Sequence, residues 1–132
     1  MGSVYNSDGS QRMIAAIVND LAKRGVRRGP LDLPHLQLDD RDLDIELFVD
    51  SILWLEGEGI IRTTDKHRFG LDGTAYGFVL TAYGYRLLEQ NFQGEMKLGQ
   101  AVKEIAENNK SFSGIGDFVG GLLGGFTKSI ST

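Results

Sequence analysis

The sequence contains no recognisable arrangement of acids, bases, nucleophiles or metal ligands. The 132 residues include two histidines, His35 and His67, and no cysteine, so disulfides and thiolate metal sites are excluded. No Gly-x-Ser-x-Gly motif supplies a serine nucleophile. Residues 40–44 read Asp-x-Asp-x-Asp, the spacing that opens a calcium loop, but Ile45 and Ser51 replace the glycine and the glutamate that such a loop needs. The sequence therefore predicts no enzyme activity, no metal, no cofactor and no small-molecule substrate.

Charge is distributed unevenly along the chain, whose net charge is −4. Residues 39–58 contain eight acids and one base, Arg41, and carry a net charge of −7, which leaves +3 for the remainder. The bases form two clusters, at residues 23–28 and 62–68. Bases in the last turn of a helix also suit the negative end of its dipole, so a structural role for the first cluster stands beside a binding role. The domain is thus predicted to have an acidic side and a basic side.

A predicted amphipathic helix positions most of the acids. Its apolar side chains recur at steps of three and four residues and would face the core: Ile45, Phe48, Val49, Ile52 and Leu55. Trp54 lies at the edge of this stripe and would either seal the core or anchor a partner. Gly57 and Gly59 are predicted to end the helix, and the β-branched residues 60–64 to form a strand directly after it.

The segments that precede this helix have clear local signals. Residues 1–10 are polar and are predicted to form a flexible tail. Apolar spacing predicts a helix over residues 11–24, which Gly25 would end. Pro30 and Pro34 then favour an extended path, along which alternating leucines would lie on the core.

A hairpin and a further helix are predicted after the central helix. Residues 65–75 are charged, contain glycine and have the length of a wing that connects two strands. Residues 76–80 would pair with residues 60–64 as the hairpin. Thr81 is placed to cap the following helix. The side chains that would return from that helix to the core are Tyr85, Leu88 and Phe92.

Two motifs lie in these elements. They are Trp54-Leu55-x-x-x-Gly59-Ile60-Ile61 and, after the wing, Leu80-Thr81-x-x-Gly84-x-x-x-Leu88. Together they resemble the winged-helix superfamily of small bacterial proteins and transcription regulators, over residues 11–92. The resemblance implies an α+β fold of helices with a small antiparallel β-hairpin. In DNA-binding members the helix before the first wing strand enters the major groove, and the resemblance places that helix at about residues 42–56.

Charge argues against DNA as the partner of that helix. A duplex presents a dense row of phosphates, which lysine and arginine side chains normally contact. The helix instead offers four acids, Asp42, Asp44, Glu46 and Asp50. We therefore predict that this face binds another protein, with a simple solvated surface as the other interpretation. The alternative prediction is a DNA-binding regulator that uses the wing and the basic cluster: Arg24, Arg27, Arg28, Arg62, Lys66 and Arg68.

Residues 93–132 are predicted to form a C-terminal helical and glycine-rich interaction segment. A modest helix would end near Asn108, and an apolar stripe follows within residues 112–130. Its glycines recur every four residues, an arrangement that lets two helix backbones approach closely. The residues predicted to self-associate or to lie on a membrane surface are Gly116, Phe118, Gly120, Leu122, Gly124 and Phe126. No secretory signal is recognisable, so we expect a cytoplasmic protein, peripheral to a membrane if this segment binds one.

Overall fold

The computed structural model describes residues 8–36, 38, 44–108 and 110. Within these residues the fold is α+β, with four helices and three small two-stranded antiparallel sheets. The helices are α1 (Asp8–Arg24), α2 (Ile45–Gly57), α3 (Ala82–Leu88) and α4 (Leu98–Asn108), with a short 3-10 helix at Leu33–Leu36. The strands are β1 (Pro30–Asp32), β2 (Ile61–Arg62), β3 (Thr74–Tyr76), β4 (Val79–Leu80), β5 (Asn91–Gln93) and β6 (Met96–Lys97).

The amphipathic pattern of α2 sets which side of this helix enters the core. Phe48, Ser51, Ile52 and Leu55 are buried, at the three- and four-residue steps of one helical face. The prediction that Ile45 is buried is wrong, since 48% of this residue is exposed. Ile45 is the first residue of the helix, directly after the N-cap Asp44. The buried face of the helix begins one turn later, at Phe48.

A Schellman motif ends α2 and directs the chain into β2. Gly59 has a φ of +77°, in the left-handed region that favours glycine. Its N–H donates to Glu56 O at 3.0 Å, and the N–H of Ile60 donates to Leu55 O at 3.0 Å. Ile60 and Leu55 are both buried, which supplies the apolar contact that accompanies this motif. The predicted glycine stop after the central helix is therefore confirmed at Gly59.

The sheets differ in one respect from the predicted hairpin. β2 pairs with β4 through Ile61 opposite Leu80 and Arg62 opposite Val79, as expected for part of the hairpin. β3, however, pairs with β1, with Leu31 opposite Ala75. The prediction that Tyr76 pairs with the strand after α2 is thus wrong. Leu31, Leu33 and Leu36 are buried as predicted, with Leu31 brought into the core by β1, whereas Leu38 is only partly buried against the core.

Thr81 caps α3 as predicted. Its hydroxyl accepts the N–H of Gly84 at 2.9 Å and lies 2.6 Å from Gly59 O. Leu87 is buried, whereas Tyr85 and Leu88 are half-buried against the core. Phe92 also packs on the core, but it lies on β5 and not on α3, because a β5–β6 hairpin follows the helix directly.

The helix α4 belongs to the same core as the preceding elements. It makes its most extensive contact with α1. Leu98, Ala101, Val102 and Ile105 of α4 are buried in one cluster with the apolar face of α1. At the rim of this contact, Glu107 accepts hydrogen bonds from Lys23 and from Asn19, which lower the pKa of its carboxyl. These contacts contribute to folding stability at pH values above the ordinary carboxyl pKa. The contribution is lost as the pH falls through the lowered pKa of Glu107.

Two glycines in helices provide a test of how closely α3 approaches the chain after α2. A Cβ at Gly84 would lie 2.5 Å from the backbone oxygen of Ile60, whereas a Cβ at Gly57 would meet nothing within 4 Å. We expect Gly84→Ala to lower the free energy of unfolding by about 1–3 kcal/mol, the usual effect of overpacking. Gly57→Ala should raise it by roughly 0.5 kcal/mol, because alanine favours the helix. Urea unfolding of both variants measures the difference, and a neutral Gly84→Ala would contradict the close approach.

Candidate functional site

The exposed side of α2 forms a regular stripe. Glu46, Asp50, Leu53 and Gly57 are all exposed and recur at steps of four, three and four residues. Leu53 is 43% exposed and is one of four large apolar side chains that the described residues present to solvent. Its position opposite the buried face is a signal present in the sequence, but Leu53 is not among the predicted site residues. We call Asp44, Glu46, Asp50 and Leu53 the α2 surface.

Local structure accounts for only part of the α2 surface. Asp44 is the N-cap and accepts the N–H of Leu47 at 3.2 Å. Glu46 lies in the first turn, where a negative charge suits the helix dipole. Asp50 and Leu53 have neither role. None of the three carboxylates forms an ion pair with another residue in the described part of the chain, and Asp42 lies outside that part.

Two of the six predicted nucleic-acid residues are held within the fold. Arg24 Nη2 lies 2.9 Å from Asp20 Oδ2, without the alignment of a hydrogen bond, and donates to Pro30 O at 2.7 Å. The guanidinium of Arg68 pairs with the carboxylate of Glu56. It also lies 5.8 Å from the ring centres of the two neighbouring phenylalanines, Phe69 and Phe78. Both arginines therefore stabilise the domain, Arg24 at the end of α1 and Arg68 between α2 and the wing.

The other four predicted bases are exposed, and the structure brings the two sequence clusters together. The Nη1 of Arg28 donates to the hydroxyl of Thr64 at 2.9 Å, across 36 residues of chain. Arg62 is exposed at the end of β2, two residues before Thr64, and Lys66 is exposed at a bend two residues after it. We call Arg27, Arg28, Arg62 and Lys66 the basic surface. None of them forms an ion pair with a residue in the described ranges.

One acid accompanies the basic surface, and one apolar side chain borders it. The carboxylate of Asp65 lies against the backbone of Gly77, so this acid is directed toward the bend between β3 and β4. Val26, next to Arg27, is 87% exposed. The basic surface therefore presents cations together with a small apolar contact.

The wing lies against the start of α2. The N–H of Leu33 donates to Gly73 O at 2.8 Å, and a Cβ at Gly73 would lie 3.6 Å from Cγ1 of Ile45. Phe69 is partly buried on the core, whereas Leu71 at the tip is 89% exposed. The tip is thus attached to the 3-10 helix and to α2, and Leu71 extends from it into solvent.

A polar cavity of about 140 Å³ lies between α1, the 3-10 helix and α4. Several of its polar lining residues have partners within the domain. Lys23 Nζ lies 2.6 Å from Glu107 Oε2, and Asn19 Nδ2 donates to the same oxygen at 2.8 Å. His35, which is mostly exposed, lies 3.3 Å from Asp32 Oδ2. These contacts give the polar side chains named here a structural role, because each of them already has a partner within the domain.

The described residues contain neither a membrane-spanning helix nor a metal-binding cluster. In the described ranges no helix combines the length and the apolar character needed to cross a bilayer. Within the same ranges no cluster of three or more acidic or histidine side chains is arranged to hold a metal ion. The tail residues singled out from the sequence, Gly116, Phe118, Gly120, Leu122, Gly124 and Phe126, lie outside the residues that the structure describes.

Comparison of the chain with known proteins finds no matching family model, no matching curated protein and no matching solved structure.

The pair between Glu56 and Arg68 predicts a measurable coupling between α2 and the wing. Both side chains are about one-third exposed, so a double-mutant cycle of E56Q and R68Q should give a coupling energy of about 0.5–1 kcal/mol. The coupling should decrease as salt is added. Because Arg68 also contacts two aromatic rings, R68Q alone should lower the free energy of unfolding more than E56Q alone. Additive effects in urea unfolding would contradict this connection.

Proposed function

We propose that the chain is a non-enzymatic winged-helix module that binds another protein through the α2 surface. The order of elements supports the winged-helix assignment: α1, β1, the 3-10 helix, α2, β2, the wing, β3 and β4. The observation that carries the functional proposal is the exposed stripe on α2, where Leu53 lies one turn from Asp50, itself one turn from Glu46. The apolar side chain provides contact area, and the acids around it provide electrostatic selectivity.

The α2 surface defines the chemistry of its partner. Three exposed carboxylates that form no ion pair with the described residues favour lysine and arginine side chains opposite them, since complementary charge guides association and excludes wrong partners. Leu53 would supply the apolar centre, because a few buried side chains usually provide most of the binding energy. The partner surface should therefore be basic with an apolar pocket or patch.

Substitutions on the α2 surface should remove the partner without unfolding the domain. The immobilised full chain would be incubated with extract of the native cell, and retained proteins would be identified by mass spectrometry. We expect Leu53→Ser and the double variant E46K/D50K each to reduce retention of the specific partner by at least about tenfold, corresponding to a loss of roughly 1.4 kcal/mol.

Matched controls exist on the same chain. E89K/E95K reverses two exposed acids away from α2, and Leu71→Ser replaces the exposed leucine at the wing tip. Both should retain the partner as the wild type does. If the α2 variants and the controls retain the same proteins in equal amounts, the α2 surface is not the binding site.

A second candidate function is nucleic-acid binding through the basic surface. The observation that favours it is the hydrogen bond from Arg28 to Thr64, which joins two clusters that are distant in sequence. If all four cations contacted phosphates, the logarithm of the affinity for duplex DNA would fall with the logarithm of salt concentration with a slope of about −3.6. The acids of α2 oppose this function, because they would repel the same phosphates.

A titration with duplex DNA at low and at physiological salt tests this candidate. Under it, R62E/K66E should abolish binding at both salt concentrations, because two cations become repulsive. The control K97E/K103E reverses two exposed lysines elsewhere and should leave binding nearly unchanged. Equal weakening by both double variants would indicate a dependence on net charge alone and would remove the basic surface as a DNA site.

The glycine-rich segment adds a further element to the proposed function. Self-association or membrane-surface binding through residues 112–130 concerns residues outside the described ranges and stays a prediction from the sequence. Cytoplasmic localisation likewise stays a prediction.

A further inference from the structure

We propose that the partner of the α2 surface is the basic surface of a second copy of this chain. The inference rests on the proposed function, because it names the protein that the α2 surface binds. Each copy would then present both halves of one interface, Asp44, Glu46, Asp50 and Leu53 on one side and Arg27, Arg28, Arg62 and Lys66 on the other.

Charge complementarity is the first argument. The α2 surface has three exposed carboxylates, and the basic surface has four exposed cations. In the described part of the chain neither set is neutralised by ion pairs within the copy, although other acids and bases of the same domain are paired. Within one copy Arg24 pairs with Asp20, Arg68 with Glu56 and Lys23 with Glu107.

Apolar complementarity is the second argument. Leu53 is exposed among the acids, and Val26 is exposed beside the bases. Four large apolar side chains are exposed in the described residues, and each of the two charged surfaces has one of them. An interface between the surfaces would remove Leu53 and Val26 from water while placing carboxylates near guanidinium and ammonium groups.

A second copy fits the basic surface better than a polyanion does. Of the six bases predicted for nucleic acid, Arg24 and Arg68 are held in pairs inside the domain. The chain as a whole carries a net charge of −4. This net charge opposes both partners, but a second copy offers carboxylates and an apolar side chain confined to one helix face, a match to the four cations and Val26 that a duplex lacks.

Contact between two different surfaces makes the proposed interface heterologous. Such an interface leaves one unused surface at each end of a pair, so it extends head to tail unless the rotation between copies closes a ring. This property separates the proposal from a symmetric dimer held by the tail. It also allows two defective variants to complement each other.

The experiment uses the full chain and measures its mass by sedimentation equilibrium at low and at high salt. The variant E46Q/D50N removes two of the three charges of the α2 surface, and R62Q/K66Q removes two of the four charges of the basic surface. We expect the mass of the wild type to rise with protein concentration at low salt and less at high salt. Each variant alone should associate about tenfold more weakly, because it lacks two of the complementary charges.

Mixing the two variants gives the sharpest result. E46Q/D50N retains the basic surface and R62Q/K66Q retains the α2 surface, so the mixture should form one-to-one pairs with the affinity of the wild type and no larger species. E89Q/E95Q, which neutralises two exposed acids elsewhere, should associate as the wild type does. Should a neutralised variant fail to fold, the charge-reversed variants E46K/D50K and R62E/K66E replace it, and their mixture should also associate.

Three results would overturn the proposal. The wild type could remain a monomer at low salt, association could persist equally in both neutralised variants, or the mixture could fail to pair. None of these affects the proposed function, which depends on whether Leu53→Ser loses its specific partner from cell extract while the control variants retain it. Binding of duplex DNA through Arg62 and Lys66 by a wild type that stays monomeric would assign the basic surface to nucleic acid.

Discussion

The close crossing of two backbone segments, residues 59–60 and 81–84, fixes the arrangement on which the rest of the domain depends. Ile60 O accepts the N–H of Thr81 at 2.9 Å, and the hydroxyl of Thr81 lies 2.6 Å from Gly59 O. Gly84 permits this approach, because a side chain there would overlap Ile60 O. Since Ile60 follows the end of α2 and Thr81 begins α3, the crossing determines how the two helices and the β2–β4 pair lie against α1.

The sequence predicted the elements that depend on local periodicity and failed where distant segments meet. All four helices carry apolar residues at helical spacing, and Gly59 and Thr81 provided recognisable ends. The pairing of β3 with β1 joins Leu31 to Ala75 across more than forty residues, and no local pattern encodes it. Ser51 escaped notice as a core residue because serine is usually exposed, yet it is fully buried.

For the charged surfaces, the sequence supplied the residues but not their partners. The Asp20–Arg24 pair has the helical spacing of four residues and could have been recognised from the sequence. The pair between Glu56 and Arg68 could not, because it depends on how the wing folds back toward α2. The same is true of the contact between Arg28 and Thr64, which makes one surface from two clusters. Only the fold separates the bases that stabilise the domain from those left exposed.

The acids that remain on α2 are difficult to explain by stability alone. Glu46 and Asp50 are one turn apart, and like charges at this spacing destabilise a helix by about 0.2–0.5 kcal/mol. The positive end of the helix dipole offsets this repulsion for Glu46, which lies in the first turn. The stabilisation falls off beyond that turn and is smaller for Asp50. A neutral side chain at position 50 would preserve the helix and remove the repulsion. The exposed Leu53 next to Asp50 likewise adds nothing to the core. Both side chains acquire a physical role once a basic and partly apolar surface lies against α2, because that surface neutralises the repulsion and covers the leucine.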